Sequence, residues 1–426
     1  MFGTPYVPGM ARGILQHGEK AGPGPFIEII TQNNIDSIQS LPAGFIVVDG
    51  APFSHSMIRV LGMGVPVVIV SQQQAASLDE GQEIIIDGLR GHISTDMSLI
   101  GKEALTKPAA KAAQPCLTAD GEEVQLLASV RSRDNARLAK HNGAKAIGLV
   151  RSEFFTPDHG QVPDTEYYQR VIGELCQAAS PLTVTFRLLD VSADKMPTWL
   201  APPGSSGGVL CMQGARLFGQ PEVQEVINAQ LTAISQLSTR YKLRVLIPYL
   251  VRYEECCYWV EYLRRTLPES IPIGAMAETP ASTLDISHWF DCVDFMAIGC
   301  NDLMQCLFAA DRDQAILRDY LDPYAPLLFR YFRLIAEQAG QQLPQIQLCG
   351  VLPQLPGILP VLLGLGYRTF SVEASLIPYL AQNVSTININ AARELANRIC
   401  AATTSRQVLE KLKLPDEYHR TFLSPE

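Results

Sequence analysis

In the last three quarters of this chain, charged and polar residues recur just after short apolar runs, and their types suit a small anion held beside a cation. Arg151-Ser-Glu153 follows one run, and Arg187 stands in another that leads to Asp190 and then to Asp194-Lys195. Glu278 ends a third run, Asn301-Asp302 follows a fourth and Cys349-Gly350 a fifth. Two carboxylates such as Glu278 and Asp302, at the ends of adjacent parallel strands, offer the oxygen ligands of a magnesium ion that keeps several waters. Arg151, Arg187, Lys195, Arg216 and Arg312 supply cations for a phosphate and a carboxylate, the arginine forks in bidentate fashion. Any one of these positions is also simply where a chain surfaces, and one or two of the five cations are expected in weak surface salt bridges. The combination is what points to a site.

The elements that must position these residues follow from the apolar pattern. Eight short runs alternate with amphipathic helical stretches: Val124 to Val130, Ala146 to Arg151, Leu182 to Asp190, Leu243 to Tyr249, Ile271 to Glu278, Val293 to Cys300, Gln345 to Gly350 and Thr369 to Val372. Strands alternating with helices make a parallel sheet, and eight of them make a (β/α)8 barrel, whose active sites lie at the carboxyl ends of the strands. A doubly wound sheet would carry a glycine fingerprint in its first strand-to-helix turn, and Ser129 to Asp134 has none. Residues 105–121 are small, alanine-rich and bracketed by prolines, as in a linker. Before it, residues 1–104 read as a compact α/β module with strands at Phe26 to Ile30, Phe45 to Val48, Val65 to Val70 and Glu83 to Ile86, and a helix near Ser56 to Gly62. After it, residues 122–426 form the barrel, with the charged, helical stretch Ile387 to Phe422 packed outside it or in a subunit contact.

With 426 residues, 47% hydrophobic and 18% charged, the chain has the balance of an ordinary globular protein. Ile358 to Leu365 is too short to span a bilayer, and Met1 to Gln16 lacks a basic end followed by an apolar run, so a cytoplasmic protein with no membrane partner is expected. The net charge of −9, with no basic run, excludes a nucleic-acid partner. The ten cysteines are scattered, without metal-ligand spacing. Most are expected as small buried thiols in a reducing compartment, Cys292, Cys300, Cys306 and Cys349 among them.

Five ordered motifs, Arg151-Ser-Glu-Phe-Phe155, the stretch from Arg187 to Lys195, that from Gly274 to Ala281, that from Asp294 to Gln305 with Asp311-Arg312, and Leu348-Cys-Gly350, resemble the phosphoenolpyruvate-utilising family. Within it they resemble the Enzyme I branch of the bacterial sugar phosphotransferase system. Gly50-Ala-Pro-Phe-Ser-His55-Ser-Met-Ile58 resembles the phosphohistidine segment of that family's swivelling domain, and Gly3 to Gly13 resembles the start of Enzyme I. The resemblance implies that His55 takes a phosphoryl group from phosphoenolpyruvate with release of pyruvate, with Mg2+ on Glu278 and Asp302. It assigns Arg151, Arg187, Lys195, Arg216, Asn301 and Arg312 to the substrate, and Cys349 to protonation of the pyruvate enolate. It also implies a homodimer formed through the barrel. A lone histidine is more often structural and a lone cysteine is often inert, but a helix start suits a phosphohistidine, because its free amides stabilise an anion. A thiol near its ordinary pKa of about 8.5 is still protonated at neutral pH.

The chain also departs from the pattern. About forty residues separate Gly13 from His55, too few for the helical acceptor-binding domain of Enzyme I, which implies a different phosphoryl acceptor or a different use of the phosphohistidine. Phe53 stands for a threonine, Leu61 and Gln213 for arginines, Ser129 for an asparagine, Cys300 for a threonine and Val351 for a glutamate. Two other functions therefore stand beside the phosphotransferase: a regulatory protein that binds phosphoenolpyruvate without transfer, and a metal-dependent lyase or aldolase working through a pyruvate enolate.

Overall fold

The computed structural model describes residues 1–18, 24–38, 40–99, 115–155, 157, 160–191, 196–200 and 212–414. Two sheets organise them. The first has seven strands, β1 (Thr4–Val7), β2 (Met10–His17), β3 (Phe26–Thr31), β4 (Gly44–Val48), β5 (Val67–Val70), β6 (Glu83–Asp87) and β7 (His92–Ser94), in the order β1-β5-β4-β3-β2-β6-β7. Gly44 to Val48 and Val67 to Val70 are buried at every position, as strands covered on both faces are. The helix His55–Leu61 follows β4, with the Ser54 hydroxyl accepting from the Met57 amide as its N-cap.

The second sheet is a closed parallel barrel of β8 (Gln125–Val130), β9 (Ile147–Val150), β10 (Val184–Arg187), β11 (Leu243–Leu250), β12 (Ile273–Ala277), β13 (Phe295–Gly299), β14 (Ile346–Cys349) and β15 (Thr369–Glu373). These are the eight runs expected from the sequence. Leu149, Leu246, Met276, Phe295, Ala297 and Cys349 fill its interior, and a larger apolar core lies between strands and outer helices. That larger core also takes in Phe45, Phe53, Met57 and Leu61 of the first module, so the two units share buried apolar surface. The helices Ile389–Cys400 and Ser405–Leu412 cover the outside of the barrel, the first against Ile358–Gly364.

Three expectations need restating. Cys257 and Cys292 form a disulfide, so Cys292 is not a free buried thiol; Cys300, Cys306 and Cys349 are free. Residues 105–114 of the expected linker and 415–422 of the tail lie outside the described residues. The sequence also left out β1, β2 and β7. Among the described residues no helix is long and apolar enough to cross a membrane.

Candidate active site at the carboxyl end of the barrel

Strand register brings the polar strand ends to one level. Ala277 pairs with Ile298 and Gly299 with Cys349, so Glu278, Gly299 and Cys349 stand at one level at the barrel mouth. Glu278 is buried, and its Oε2 accepts the Tyr249 amide at 3.1 Å. Tyr249 takes a left-handed backbone, φ 50, where β11 loses regular pairing with β12; a bulky residue held there is strained. Gly299 makes room for the carboxylate, because a Cβ at that position would collide with it.

Burial, then the charges of Asp302 and Asp190, raise the Glu278 pKa well above the usual carboxylate range, against the opposing pull of Arg187 and Arg312. Burial thus imposes a cost on Glu278 as an anion. A divalent cation would relieve it, and two carboxylates are the protein share of an ordinary magnesium site whose other ligands are waters and substrate oxygens. Glu278 and Asp302 fit such an ion, although no group of three or more ligand side chains occurs among the described residues.

Around this pair the cations are already engaged. Arg187 bonds Glu153 at 2.7 Å and Asp190 at 2.6 Å. Burial alone would lower its pKa, but Asp190, Glu153 and Glu278 outweigh it and hold the guanidinium charged. Arg151 lies 3.4 Å from Glu373, which Arg131 also approaches at 3.8 Å. Arg216 stacks over the Tyr249 ring at 5.2 Å. Asn301 turns its Oδ1 to the Val351 amide at 3.1 Å and so braces the loop after β14; a side chain at Gly350, φ 117, would meet that same oxygen. Gln213 buries an amide nitrogen with no hydrogen-bond partner among the described residues. Lys195 lies outside the described residues.

Cys349 is buried, and its sulfur accepts from the Gln347 amide at 3.5 Å. Burial pushes the thiol up to about 12. The thiol is thus far from its ordinary pKa, and more firmly protonated than an exposed cysteine would be. Of the departures, Phe53 and Leu61 are packed in the core, and Ser129 bonds Ser371 at 3.0 Å.

The first module presents His55 to this mouth. Nη2 of Arg312 lies 2.7 Å from Nε2 of His55 and 3.1 Å from Oδ1 of Asp302. A guanidinium only donates, so Nε2 accepts and the ring proton sits on Nδ1. Nδ1 donates to Asp313 Oδ2 at 2.9 Å, while Asp313 Oδ1 accepts the His55 amide, also at 2.9 Å. That helix-start amide, expected to be open to a phosphate, is taken by a carboxylate. Burial would raise the Asp313 pKa, but His55 and Arg312 hold it well below the usual carboxylate range. Arg318 pairs with Asp49 at 2.9 Å, and Arg131 Nη2 reaches the Arg59 carbonyl at 3.4 Å, so further contacts flank the same junction.

Asp313 and Glu373 were not singled out by the sequence. Asp313 directly follows Arg312, but its partner is 258 positions away, and no local pattern signals it.

Comparison with known proteins accords with this geometry. Residues 106–389 match the PEP-binding domain of PEP-utilising enzymes, and residues 28–91 match their mobile domain. The chain belongs to the phosphoenolpyruvate-utilising enzyme family. It is 30% identical over 379 residues to a phosphoenolpyruvate-protein phosphotransferase of Streptomyces coelicolor, covering 86% of this chain and 67% of that one. It is 27% identical over 391 residues to the Bacillus subtilis protein of the same name, covering 87% and 68%. A multiphosphoryl transfer protein of Shigella flexneri is 26% identical over 408 residues, covering 90% of this chain but 49% of its own. The barrel thus corresponds to that family's PEP-binding domain and the first module to its mobile domain.

Proposed function

We propose that this protein transfers the phosphoryl group of phosphoenolpyruvate to Nε2 of His55 and releases pyruvate. The contact that supports the reading is that of Arg312, whose Nη2 bridges His55 Nε2 and Asp302 Oδ1 at the barrel mouth. In the reaction the Nε2 lone pair attacks phosphorus, the bond from phosphorus to the enol oxygen breaks, and its electron pair stays on that oxygen. Asp313 keeps the proton on Nδ1 and stabilises the imidazole as it gains positive charge. Arg312 sits where the phosphoryl group must pass, and Arg151 and Arg187 face the anionic substrate once it competes for their carboxylate partners. A magnesium ion held by Glu278 and Asp302 would act as a Lewis acid toward the substrate's oxygens. Cys349 gives its thiol proton to the methylene carbon of the enolate, forming pyruvate, and water then reprotonates the sulfur.

On this reading the phosphoryl group goes to an acceptor other than the protein acceptor of the longer relatives, or the phosphohistidine is put to a different use. Between Gly13 and His55 the described residues form the rest of β2, then β3, β4 and the short turn Gln32–Ser37, and no helical acceptor-binding domain stands among them. Incubation with labelled phosphoenolpyruvate and magnesium, followed by acid and base treatment of the adduct, tests the reading: an acid-labile, base-stable label lost in His55→Ala is expected. A second reading, a phosphoenolpyruvate-binding regulatory protein, draws on one observation: both forks of Arg187 are occupied by carboxylates. It predicts stabilisation by ligand and magnesium, by about 2.7 kcal/mol at a hundredfold excess over Kd, without an adduct.

A further inference from the structure

The opposite end of the barrel holds a second concavity. An open bowl of about 790 Å³ lies at the amino ends of the strands, lined by residues at or next to the start of all eight. The packed interior of the barrel, to which Cys349 belongs, separates it from Glu278 and Asp302. Arg244 stands on β11 two residues before Leu246, which faces that interior, so its side chain turns into the barrel at this end. The guanidinium carbon lies over the Phe295 ring, 3.4 Å from its centroid, and the group makes no hydrogen bond or ion pair among the described residues.

The carboxylate next to it is already used. Asp294 Oδ2 accepts the Ile273 amide at 2.7 Å and Arg264 at 3.2 Å. Lys242 is exposed on the rim, and Lys145, also lining the bowl, pairs with Glu123 outside it at 3.1 Å. With Lys145 matched by Glu123, Arg244 and Lys242 thus face one committed carboxylate. Burial pushes the Arg244 pKa down to about 10, only partly offset by Asp294, as for a desolvated cation short of countercharge. Buried charges are ordinarily paired, and a planar fork beside an aromatic face suits a multiply charged oxyanion. The bowl also touches the other face of the barrel: Gln347 lines it, and the same side chain donates to Cys349.

We propose that this bowl binds a small multiply charged organic anion, a phosphate ester or a polycarboxylate, with Arg244 at its floor and Lys242 at its rim. The site is independent of the transfer reaction proposed for the opposite face. Calorimetric titration of the full chain with pyrophosphate and with citrate, without divalent metal, tests it in the wild type, Arg244→Met, Lys242→Met and, for the opposite face, Arg151→Met. The expected result is a binding event with at least one probe that Arg151→Met retains and Arg244→Met weakens tenfold or more. Tighter binding of pyrophosphate assigns a phosphate ester, and tighter binding of citrate a polycarboxylate. If Arg244→Met does not fold, Lys242→Met, changed only at the exposed rim, must weaken the event at least threefold. Equal binding in wild type and both bowl variants, or loss only in Arg151→Met, overturns the proposal.

Discussion

Asp313 holds His55 twice, through the backbone amide and through Nδ1, and so fixes both the position and the tautomer of the ring. A hydrogen bond to a charged group contributes about 1.5–3 kcal/mol, so Asp313→Asn should slow phosphorylation of His55 by about 10- to 100-fold, as read by the rate of label incorporation. The acid side follows from its pKa. A carboxyl whose folded pKa is depressed contributes stability above its unfolded pKa and loses it as pH falls toward the folded one. The stability difference between wild type and Asp313→Asn should therefore stay constant down to about pH 4 and shrink only below it, in urea melts across that range. Cys349, pushed up to about 12 by burial, should alkylate far more slowly at pH 8 than an exposed cysteine, by mass spectrometry of timed iodoacetamide reactions. At this scale the residues at strand ends were legible in the sequence because each follows an apolar run directly. The partners were not: Asp313, Glu373 and the Tyr249 amide reach the site through folding across the chain, and a carboxylate partner leaves no mark on the periodicity around it.

The strand ends deliver their side chains at one height only because the barrel register aligns Ala277 with Ile298 and Gly299 with Cys349. Gly299 is a close approach in this register, since its missing Cβ is the space the Glu278 carboxylate occupies. Gly299→Ala should destabilise the fold by about 1–3 kcal/mol, the usual cost of overpacking, and should weaken magnesium-dependent binding of phosphoenolpyruvate at least tenfold, measured by denaturation and calorimetry. The eight barrel strands were readable because burial on both faces makes each a mainly apolar run between polar loops, even where Arg244, Gln347 or Ser371 interrupts it. β1, β2 and β7 were not. Met10–His17 is buried only at alternate positions and contains Arg12 and Gly13, while Thr4–Val7 and His92–Ser94 are too short to show a period.

Across the whole molecule, the mobile module meets the barrel through His55 and through the flanking pair Arg318–Asp49. The flanking pair is partly exposed, with 29% and 35% of the side-chain surfaces accessible, so screening limits its worth to about 1 kcal/mol or less. Arg318→Ala should leave global stability within that margin in urea melts. Transfer chemistry depends instead on the seat of His55 between Arg312 and Asp313, at the mouth where Glu278 and Asp302 stand. The direct test is incubation of the full chain with labelled phosphoenolpyruvate and magnesium, with mass-spectrometric mapping of the label. The account predicts one acid-labile phosphoryl group on His55, released pyruvate in equal amount, and neither in His55→Ala. Phosphoenolpyruvate that binds and stabilises the protein but leaves His55 unmodified would contradict it.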